Sequence, residues 1–280
     1  MHRLQNSLLL AVAAALMAAA CSEGPTSPTP ATTGLVVAQG LQEAPPVPAS
    51  LVPTPPNAVG ATRFLAFGDS ITCGVVSAGT FTLVPVNCDN TRDYGYPERL
   101  QSMLSTYNPA QVFSVRKRGS GGETAAEGIS RLTSDLSELA GPSVPVSSRP
   151  QVLLLLEGIN DMTSGVSATR AASSVMQMVQ IARLYNLTVL VATMYQTYPS
   201  APKGDNANDK IVSFNTELRR LVGGLQNVRI VDLYDSFGTN AYGTYVGLDG
   251  EHPTPAGYDR MAQRFHADIL AQFPVRGGLQ

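Results

Sequence analysis

Short apolar runs alternate with longer amphipathic segments from Arg63 onward. The apolar runs have the length and composition of buried β-strands, and they cover residues 64–67, 112–115, 152–156, 188–192 and 228–233. The segments between and after them have helical patterns, and they cover residues 96–106, 125–139, 168–185, 209–221 and 254–273. Buried strands that alternate with helices predict one α/β domain over residues 61–275, a three-layer α/β/α sandwich on a mostly parallel five-stranded sheet.

Residues 1–20 are typical of an export signal peptide. Arg3 supplies the positive charge, and an apolar stretch of 13 residues runs from Leu8 to Ala20. A bilayer span needs roughly 20 residues, so this stretch is too short to cross a membrane. It ends in small residues before Cys21, which resembles a bacterial lipoprotein signal whose cysteine carries the lipid. Ordinary signal cleavage without a lipid is the alternative.

Residues 21–60 separate this signal from the predicted domain. Nine prolines and only two charged residues lie between Ser22 and Gly60. Such a segment cannot bury enough apolar surface to fold, so we expect a disordered or polyproline tether. With Cys21 as a lipid anchor, the protein would be an exported lipoprotein of the cell envelope, in the periplasm or on the cell surface. Without the lipid it would be secreted.

The composition narrows the range of partners and cofactors. Hydrophobic residues make up 44% of the 280 residues, which is enough for a core, and the formal net charge is −2. No stripe of lysine and arginine indicates nucleic-acid binding. The sequence contains no C-x-x-C motif and no pair of histidines at ligand spacing, so it predicts no metal site. We expect a monomer.

Ser70 directly follows the first predicted strand, and Asp249 and His252 lie three residues apart near the other end of the chain. These are the residue types of a serine hydrolase, in the order Ser, Asp, His. Of the three histidines, His2 lies in the signal and His266 in a predicted helix without an acidic or hydroxyl partner, which leaves His252 as the base. Taken singly, a serine after a strand is more often a helix cap, and the Asp-His pair can be a loop hydrogen bond.

Two further segments follow predicted strands. Residues 119–124 contain Gly121 and Gly122, whose backbone N–H groups can approach a ligand closely, and residues 158–161 contain Asn160. Ligands bind beyond the carboxyl ends of parallel strands, so we expect both segments to meet Ser70 at one rim of the sheet. Their N–H donors can stabilise the oxyanion of an acyl-transfer reaction. A flexible glycine turn and a turn-forming asparagine are the alternatives.

Together these segments resemble the SGNH hydrolases, the superfamily of GDSL-type esterases and lipases, over about residues 62–272. The matching motifs are Gly68-Asp69-Ser70-Ile71-Thr72-x-Gly74, Arg118-Gly119-Ser120-Gly121-Gly122-Glu123-Thr124, Gly158-x-Asn160-Asp161 and Asp249-x-x-His252. Two departures stand out, namely Lys117, where many members carry asparagine, and an insertion over residues 75–93. The resemblance implies a flavodoxin-like fold and hydrolysis of carboxylic esters through an acyl-enzyme without a cofactor.

The same resemblance assigns roles to individual residues. It implies that Ser70 is the nucleophile, that His252 is the general base and then acid, and that Asp249 orients His252. It also implies that the backbone amides of Ser70 and Gly122 and the side chain of Asn160 donate hydrogen bonds to the oxyanion, with Gly121 less favoured.

The insertion contains Cys88, and Cys73 lies in the first motif. In an exported protein these two cysteines can pair and close a loop of about 15 residues, which is worth roughly 3 kcal/mol. Such a bridge would hold the insertion beside the active site. Two unpaired thiols are the alternative.

The sequence leaves the substrate open among small-molecule, lipid and glycan esters. Within the same superfamily, a carbohydrate or peptidoglycan O-deacetylase and a lysophospholipase or thioesterase are the alternatives to a simple esterase. An alternative from another class is a catalytically silent binding module of the envelope, which would have a broken triad or oxyanion hole.

Overall fold

The computed structural model describes residues 57–78, 82–83, 95–198 and 207–275, all of them in a compact unit that spans residues 52–280. The predicted signal over residues 1–20 lies outside the described residues, as do most of the tether, Cys21 and Cys88. Those predictions therefore remain predictions.

Strands and helices alternate along the described chain. In chain order the elements are β1 Arg63–Gly68, α1 Ser70–Cys73, β2 Ser77–Ala78, β3 Thr82–Leu83, α2 Tyr96–Tyr107, β4 Ser114–Gly119, α3 Ala125–Ala140, β5 Val152–Leu156, α4 Ile159–Thr163, α5 Ala168–Leu184, β6 Thr188–Ala192, α6 Ala207–Val222, β7 Val228–Val231, α7 Leu233–Phe237 and α8 Pro255–Gln272. Five of the strands form one sheet in the order β4-β1-β5-β6-β7, with every pairing parallel. The predicted α/β fold with a five-stranded parallel sheet is confirmed.

The two central strands β1 and β5 are almost completely buried. All five residues of β5, Val152–Leu156, are buried, and so are five of the six residues of β1. Helices cover the sheet, since α2 packs against α8 while α5 packs against both α3 and α6. Strands buried on both faces need apolar side chains at every position, which explains why β5 reads as a continuous run of valine and leucine.

Two predicted strands have different limits in the structure. The strand predicted over residues 112–115 is β4, which begins at Ser114, because Val112 is 91% exposed and contributes nothing to the core. The strand predicted over residues 228–233 ends at Val231, because the Asp232 side chain caps the short helix α7 by accepting the N–H of Asp235.

The strand order places one crevice at the carboxyl edge of the sheet. The chain passes from β1 to β4 on one side and then returns to β5 on the other side of β1. Ligands of open α/β sheets bind where the strand order reverses in this way. The short helices α1 and α4, which follow β1 and β5, carry Ser70 and Asn160, so both candidate residues flank this crevice.

Candidate active site

Ser70 is the first residue of α1, in a sharp turn directly after β1. The preceding residue, Asp69, caps this helix, because its carboxylate accepts the N–H of Ile71 at 2.8 Å. The helix-cap role that a serine after a strand often has is therefore taken by Asp69. Ser70 is left with its side chain at the carboxyl edge of the sheet and with an amide N–H that has no intrahelical acceptor.

Asp249 and His252 are joined within one tight turn. The Asp249 carboxylate accepts the Nδ1–H of His252 at 2.7 Å, and its other oxygen accepts the backbone N–H groups of Glu251 at 3.1 Å and His252 at 3.0 Å. Gly250 has φ +74, a conformation that glycine adopts without strain. Burial disfavours the charged form of Asp249, but the hydrogen bonds from His252 and the backbone hold the pKa of its carboxyl below the ordinary value.

The structure brings the three predicted residues together. The Oγ of Ser70 lies 2.9 Å from the Nε2 of His252, although 182 positions separate the two residues in the chain. All three side chains are buried. With its hydrogen on Nδ1, the imidazole presents Nε2 as an acceptor for the Ser70 hydroxyl, which is the arrangement that proton transfer from serine requires.

Helix α8 ties the turn of residues 249–252, which directly precedes it, to the segment that follows α1. The hydroxyl of Tyr258 on α8 donates to the carbonyl of Val75 at 2.6 Å, and both groups lie in the buried interior. Thr254 caps the start of α8 by accepting the N–H of Gly257. Because Thr254 follows His252 by two residues, the cap and the Tyr258 bond limit how far the imidazole can move.

The predicted oxyanion donors lie at the ends of neighbouring strands. The backbone N–H of Gly122, which has φ +78, has no acceptor among the described residues, and no atom lies within 4 Å of a Cβ built there. One Nδ2 hydrogen of Asn160 is donated to the carbonyl of Glu123 at 2.9 Å, which leaves the second hydrogen for a ligand. The carboxylate of Asp161 accepts the N–H of Ala125 at 2.8 Å and so ties α4 to the start of α3.

Lys117, one of the two departures noted in the sequence, lies beside α1, whereas most of the insertion over residues 75–93 lies outside the described residues. Lys117 pairs with Glu98 at 2.6 Å and donates to the carbonyl of Cys73 at 3.0 Å, so it joins β4, α2 and α1. Cys73 itself is disulfide-bonded. Its predicted partner, Cys88, lies outside the described residues, and the pairing of these two cysteines stays a prediction.

The carboxyl group of Asp69 is completely buried. Its second oxygen, Oδ2, has no hydrogen-bond partner among the described residues. Burial raises the pKa of Asp69 to about 7, against the opposing hydrogen bond from Ile71. The negative charge of Glu251 also disfavours its ionisation. A group that titrates near neutral pH therefore lies next to the candidate nucleophile.

Replacing Asp69 with asparagine should shift stability in favour of the variant as the pH rises. The pKa of Asp69 is higher in the folded than in the unfolded protein. The wild type is therefore most stable, as far as this group is concerned, below about pH 4, and it loses this contribution as the pH rises to about 7. Asparagine still accepts the Ile71 N–H but does not ionise. Urea unfolding at several pH values should show the difference in unfolding free energy growing by up to about 4 kcal/mol. Parallel pH curves for the two proteins would contradict a buried, titrating Asp69.

Three charged residues near the site had no role in the sequence analysis. Asp69 and Asp161 are part of matching motifs, but only the structure shows that they hold backbone N–H groups at the starts of α1 and α3. Arg131 lies eight residues after Glu123 and pairs with it. That spacing is not a contact distance along a helix, so no sequence signal indicates the pair.

A polar groove of about 640 Å³ borders residues 119–124, the glycine loop that follows β4. Apart from two glycines its lining is entirely charged or hydroxylated, and it consists of Ser120, Gly121, Gly122, Glu123, Glu127, Ser130, Arg131 and Ser134.

Within the part of the chain that the structure describes, no group of three or more His, Cys, Asp or Glu side chains could hold a metal ion. None of the described helices is long and apolar enough to cross a membrane.

Comparison with known proteins identifies a family. The profile of the GDSL-like lipase/acylhydrolase family matches residues 66–260, a range that contains every residue of the site described above. No curated protein matches the chain significantly.

Solved structures with the same fold share little sequence with this chain. A carbohydrate acetylesterase family member from Sinorhizobium meliloti superposes with a TM-score of 0.58 at 15% identity, over 76% of this chain and 100% of that one. A lipolytic G-D-S-L family protein from Veillonella parvula gives 0.54 at 18% identity, over 76% and 100%. A lipase from a goat rumen metagenome gives 0.55 at 18% identity, over 74% and 96%. At such identities the likeness concerns the fold.

Proposed function

Since the chain belongs to the GDSL-like lipase/acylhydrolase family, we propose that it hydrolyses carboxylic esters through an acyl-enzyme on Ser70. The observation that carries the proposal is the continuous chain of hydrogen bonds from Ser70 Oγ through His252 to Asp249, with distances of 2.9 and 2.7 Å. It supports Asp249 as the residue that orients His252, and it argues against a silent binding module with a broken triad.

The proposed first half-reaction forms the acyl-enzyme. Ser70 Oγ attacks the ester carbonyl carbon while its proton passes to His252 Nε2. The carbonyl oxygen becomes an oxyanion that accepts hydrogen bonds from the backbone N–H groups of Ser70 and Gly122 and from the Asn160 side chain. His252 then gives its proton to the alcohol oxygen, the ester C–O bond breaks, and the alcohol leaves.

The second half-reaction releases the acid. Water attacks the acyl carbon, and His252 Nε2 now takes the proton of the water. The same donors stabilise the second oxyanion, and its collapse returns the proton from His252 to Ser70 Oγ. Asp249 stays ionised throughout, and its lowered pKa favours the imidazolium that forms in both halves. The two half-reactions together consume one ester and one water and yield one alcohol and one acid, with no cofactor.

Hydrolysis of p-nitrophenyl esters, combined with covalent labelling, tests this proposal on the full chain. We expect turnover of p-nitrophenyl acetate, and we expect a fluorophosphonate to stop turnover while it adds one phosphonyl group. Mass spectrometry of the digested protein should find that group on the peptide that contains Ser70. A folded protein that neither hydrolyses acetate, butyrate and octanoate esters nor takes up the label would overturn the proposal.

The polar groove favours a second candidate function, O-deacetylation of carbohydrate. The groove borders Gly122, one of the proposed oxyanion donors, and apart from Gly121 the rest of its lining consists of serine hydroxyls and charged groups. Such a surface suits the hydroxyl groups of a sugar better than an acyl chain. The structural likeness to a carbohydrate acetylesterase family member is in keeping with this candidate. A deacetylase would release acetate from acetylated xylan and would prefer p-nitrophenyl acetate to the octanoate, whereas a lipid-directed enzyme would show the reverse order.

We also propose that the enzyme is exported and held at the cell envelope through a lipid on Cys21. The proposal rests on the sequence of residues 1–60 alone. Mass spectrometry of the N-terminal peptide tests it, since a diacylglyceryl group on Cys21 supports the anchor and an unmodified, secreted form rejects it.

A further inference from the structure

The guanidinium of Arg131 joins two strand ends next to the candidate site. It lies over the ring of Phe67, with 3.8 Å between the guanidinium carbon and the ring centroid. From there Nη2 donates to the carbonyl of Gly68 at 2.9 Å, and Nη1 donates to the carbonyl of Arg118 at 3.3 Å. Gly68 ends β1 and Arg118 is the penultimate residue of β4, so one side chain bridges the ends of the two paired strands that lead to Ser70 and to the glycine loop.

The same guanidinium holds the glycine loop through Glu123. Nε of Arg131 donates to Oε1 of Glu123 at 2.7 Å and to Oε2 at 3.0 Å, and Nη2 contacts Oε2 as well. The Glu123 side chain is only 8% exposed, against 23% for Arg131, so the carboxylate is the better shielded partner of this pair. The backbone carbonyl of Glu123 is the acceptor that orients the amide of Asn160, and Gly122 is its chain neighbour. A displacement of Glu123 would therefore move two of the three proposed oxyanion donors.

A second carboxyl group, that of Glu157, lies beside the ion pair of Arg131 and Glu123. Glu157 is completely buried, and its Oε1 lies 3.6 Å from Nη2 of Arg131. Burial raises the pKa of Glu157 well above the ordinary value, and the charges of Asp69 and Glu123 act in the same direction. Helix α3 closes over the cluster at Gly128, where a Cβ would stand 3.4 Å from Glu123 Oε2 and 3.6 Å from Glu157 Oε1. Both carboxyl groups therefore lie against α3, while Arg131 and Glu123 also line the polar groove.

We infer that Arg131, acting through Glu123, is a positioning residue for the oxyanion-stabilising groups of this enzyme. The inference rests on the proposed function and adds to it a requirement for a planar, forked donor. A lysine keeps the charge opposite Glu123, but its single ammonium cannot reach Glu123 and the carbonyls at the ends of β1 and β4 at once. If Arg131 served only to neutralise Glu123, lysine would replace it without loss of activity.

The test compares Arg131→Lys with the wild type at equal concentrations of folded enzyme. We expect kcat for p-nitrophenyl acetate to fall about 10- to 100-fold while KM stays within about three-fold, because misplaced donors weaken the transition state more than the bound ester. The inhibition constant of an alkyl trifluoromethyl ketone, which forms an oxyanion on the serine, should rise in parallel with the loss of kcat. Arg131→Gln should lose more than Arg131→Lys.

Arg264→Lys is the matched control. Arg264 also binds a carboxylate through two nitrogens, since Nε donates to Asp268 Oδ2 at 2.7 Å and Nη2 to Oδ1 at 3.3 Å, but it lies on α8 outside the site. Its kcat and ketone inhibition should match the wild type. If the Arg131 variants do not fold, Glu123→Gln decides, because glutamine turns an N–H₂ group toward the guanidinium and should lower kcat about ten-fold.

The outcomes separate this inference from the proposed function. Parallel losses of kcat and ketone affinity in Arg131→Lys, or in Glu123→Gln, support it. Wild-type kcat in these variants, or a loss that appears only in KM, overturns it and leaves the esterase proposal standing. A folded wild type without hydrolysis and without labelling on Ser70 overturns both.

Discussion

Replacing Ser70 with alanine should lower kcat/KM for p-nitrophenyl acetate on the order of 10⁴- to 10⁶-fold and leave the fold intact. The hydroxyl of Ser70 makes its described hydrogen bond with His252, so the substitution removes the proposed nucleophilic oxygen and little else. The helix cap before it, Asp69, is untouched. Steady-state kinetics and urea unfolding of the two proteins measure both parts of this expectation.

Ser167→Ala provides the opposite case as a control. Ser167 caps α5 by accepting the N–H of Arg170, so the alanine variant should lose about 1 kcal/mol of stability and no activity. Ser70→Ala should lose activity at nearly constant stability. Since a nucleophile and its base act as a unit, adding His252→Ala to Ser70→Ala should cost almost nothing further. A Ser70→Ala enzyme with more than one tenth of wild-type kcat/KM would exclude Ser70 as the nucleophile.

The central strands could be predicted from the sequence because each begins and ends where a run of apolar residues begins and ends. The strands predicted over residues 152–156 and 188–192 coincide with β5 Val152–Leu156 and β6 Thr188–Ala192, since parallel strands in the middle of a sheet are apolar on both faces. The edge strand β4 contains Arg116, Lys117 and Arg118, and its charges are tolerated because Lys117 and Arg118 find acidic partners on α2 and α3. Those partners are tertiary contacts, so the apolar pattern misplaced this strand.

Some features of the candidate site could likewise be predicted from the sequence, and others could not. Ser70, Asp249 and His252 could be predicted because each belongs to a short motif with its own chemistry, and the parallel topology brings strand ends to one rim. The link from Arg131 through Glu123 to Asn160 could not, because side-chain hydrogen bonds join α3, the glycine loop and α4. No local pattern encodes such a contact. The burial that raises the pKa of Asp69 likewise exists only in the folded protein.

Replacing Asp249 with asparagine should reduce kcat about 10³- to 10⁴-fold, even though the side chain keeps its size. One oxygen of Asp249 accepts two backbone N–H groups and the other accepts Nδ1–H of His252, so all three neighbours are donors. An asparagine has one acceptor oxygen. Keeping it on the two backbone groups preserves two hydrogen bonds and turns the N–H₂ group toward Nδ1. The imidazole must then accept at Nδ1 and carry its hydrogen on Nε2, where it cannot take the proton of Ser70.

The measurement is kcat together with the rate at which a fluorophosphonate labels Ser70, because both need the hydroxyl to lose its proton. Asp232→Asn is the control, since Asp232 also accepts a backbone N–H and pairs with an arginine, Arg219, yet it caps α7 and has no contact with His252. It should lose stability and keep its activity. If Asp249→Asn labels and turns over like the wild type, Asp249 only braces the loop and His252 needs no orienting partner. If both rates fall together at unchanged KM, the Asp249 carboxylate acts by fixing the tautomer of His252.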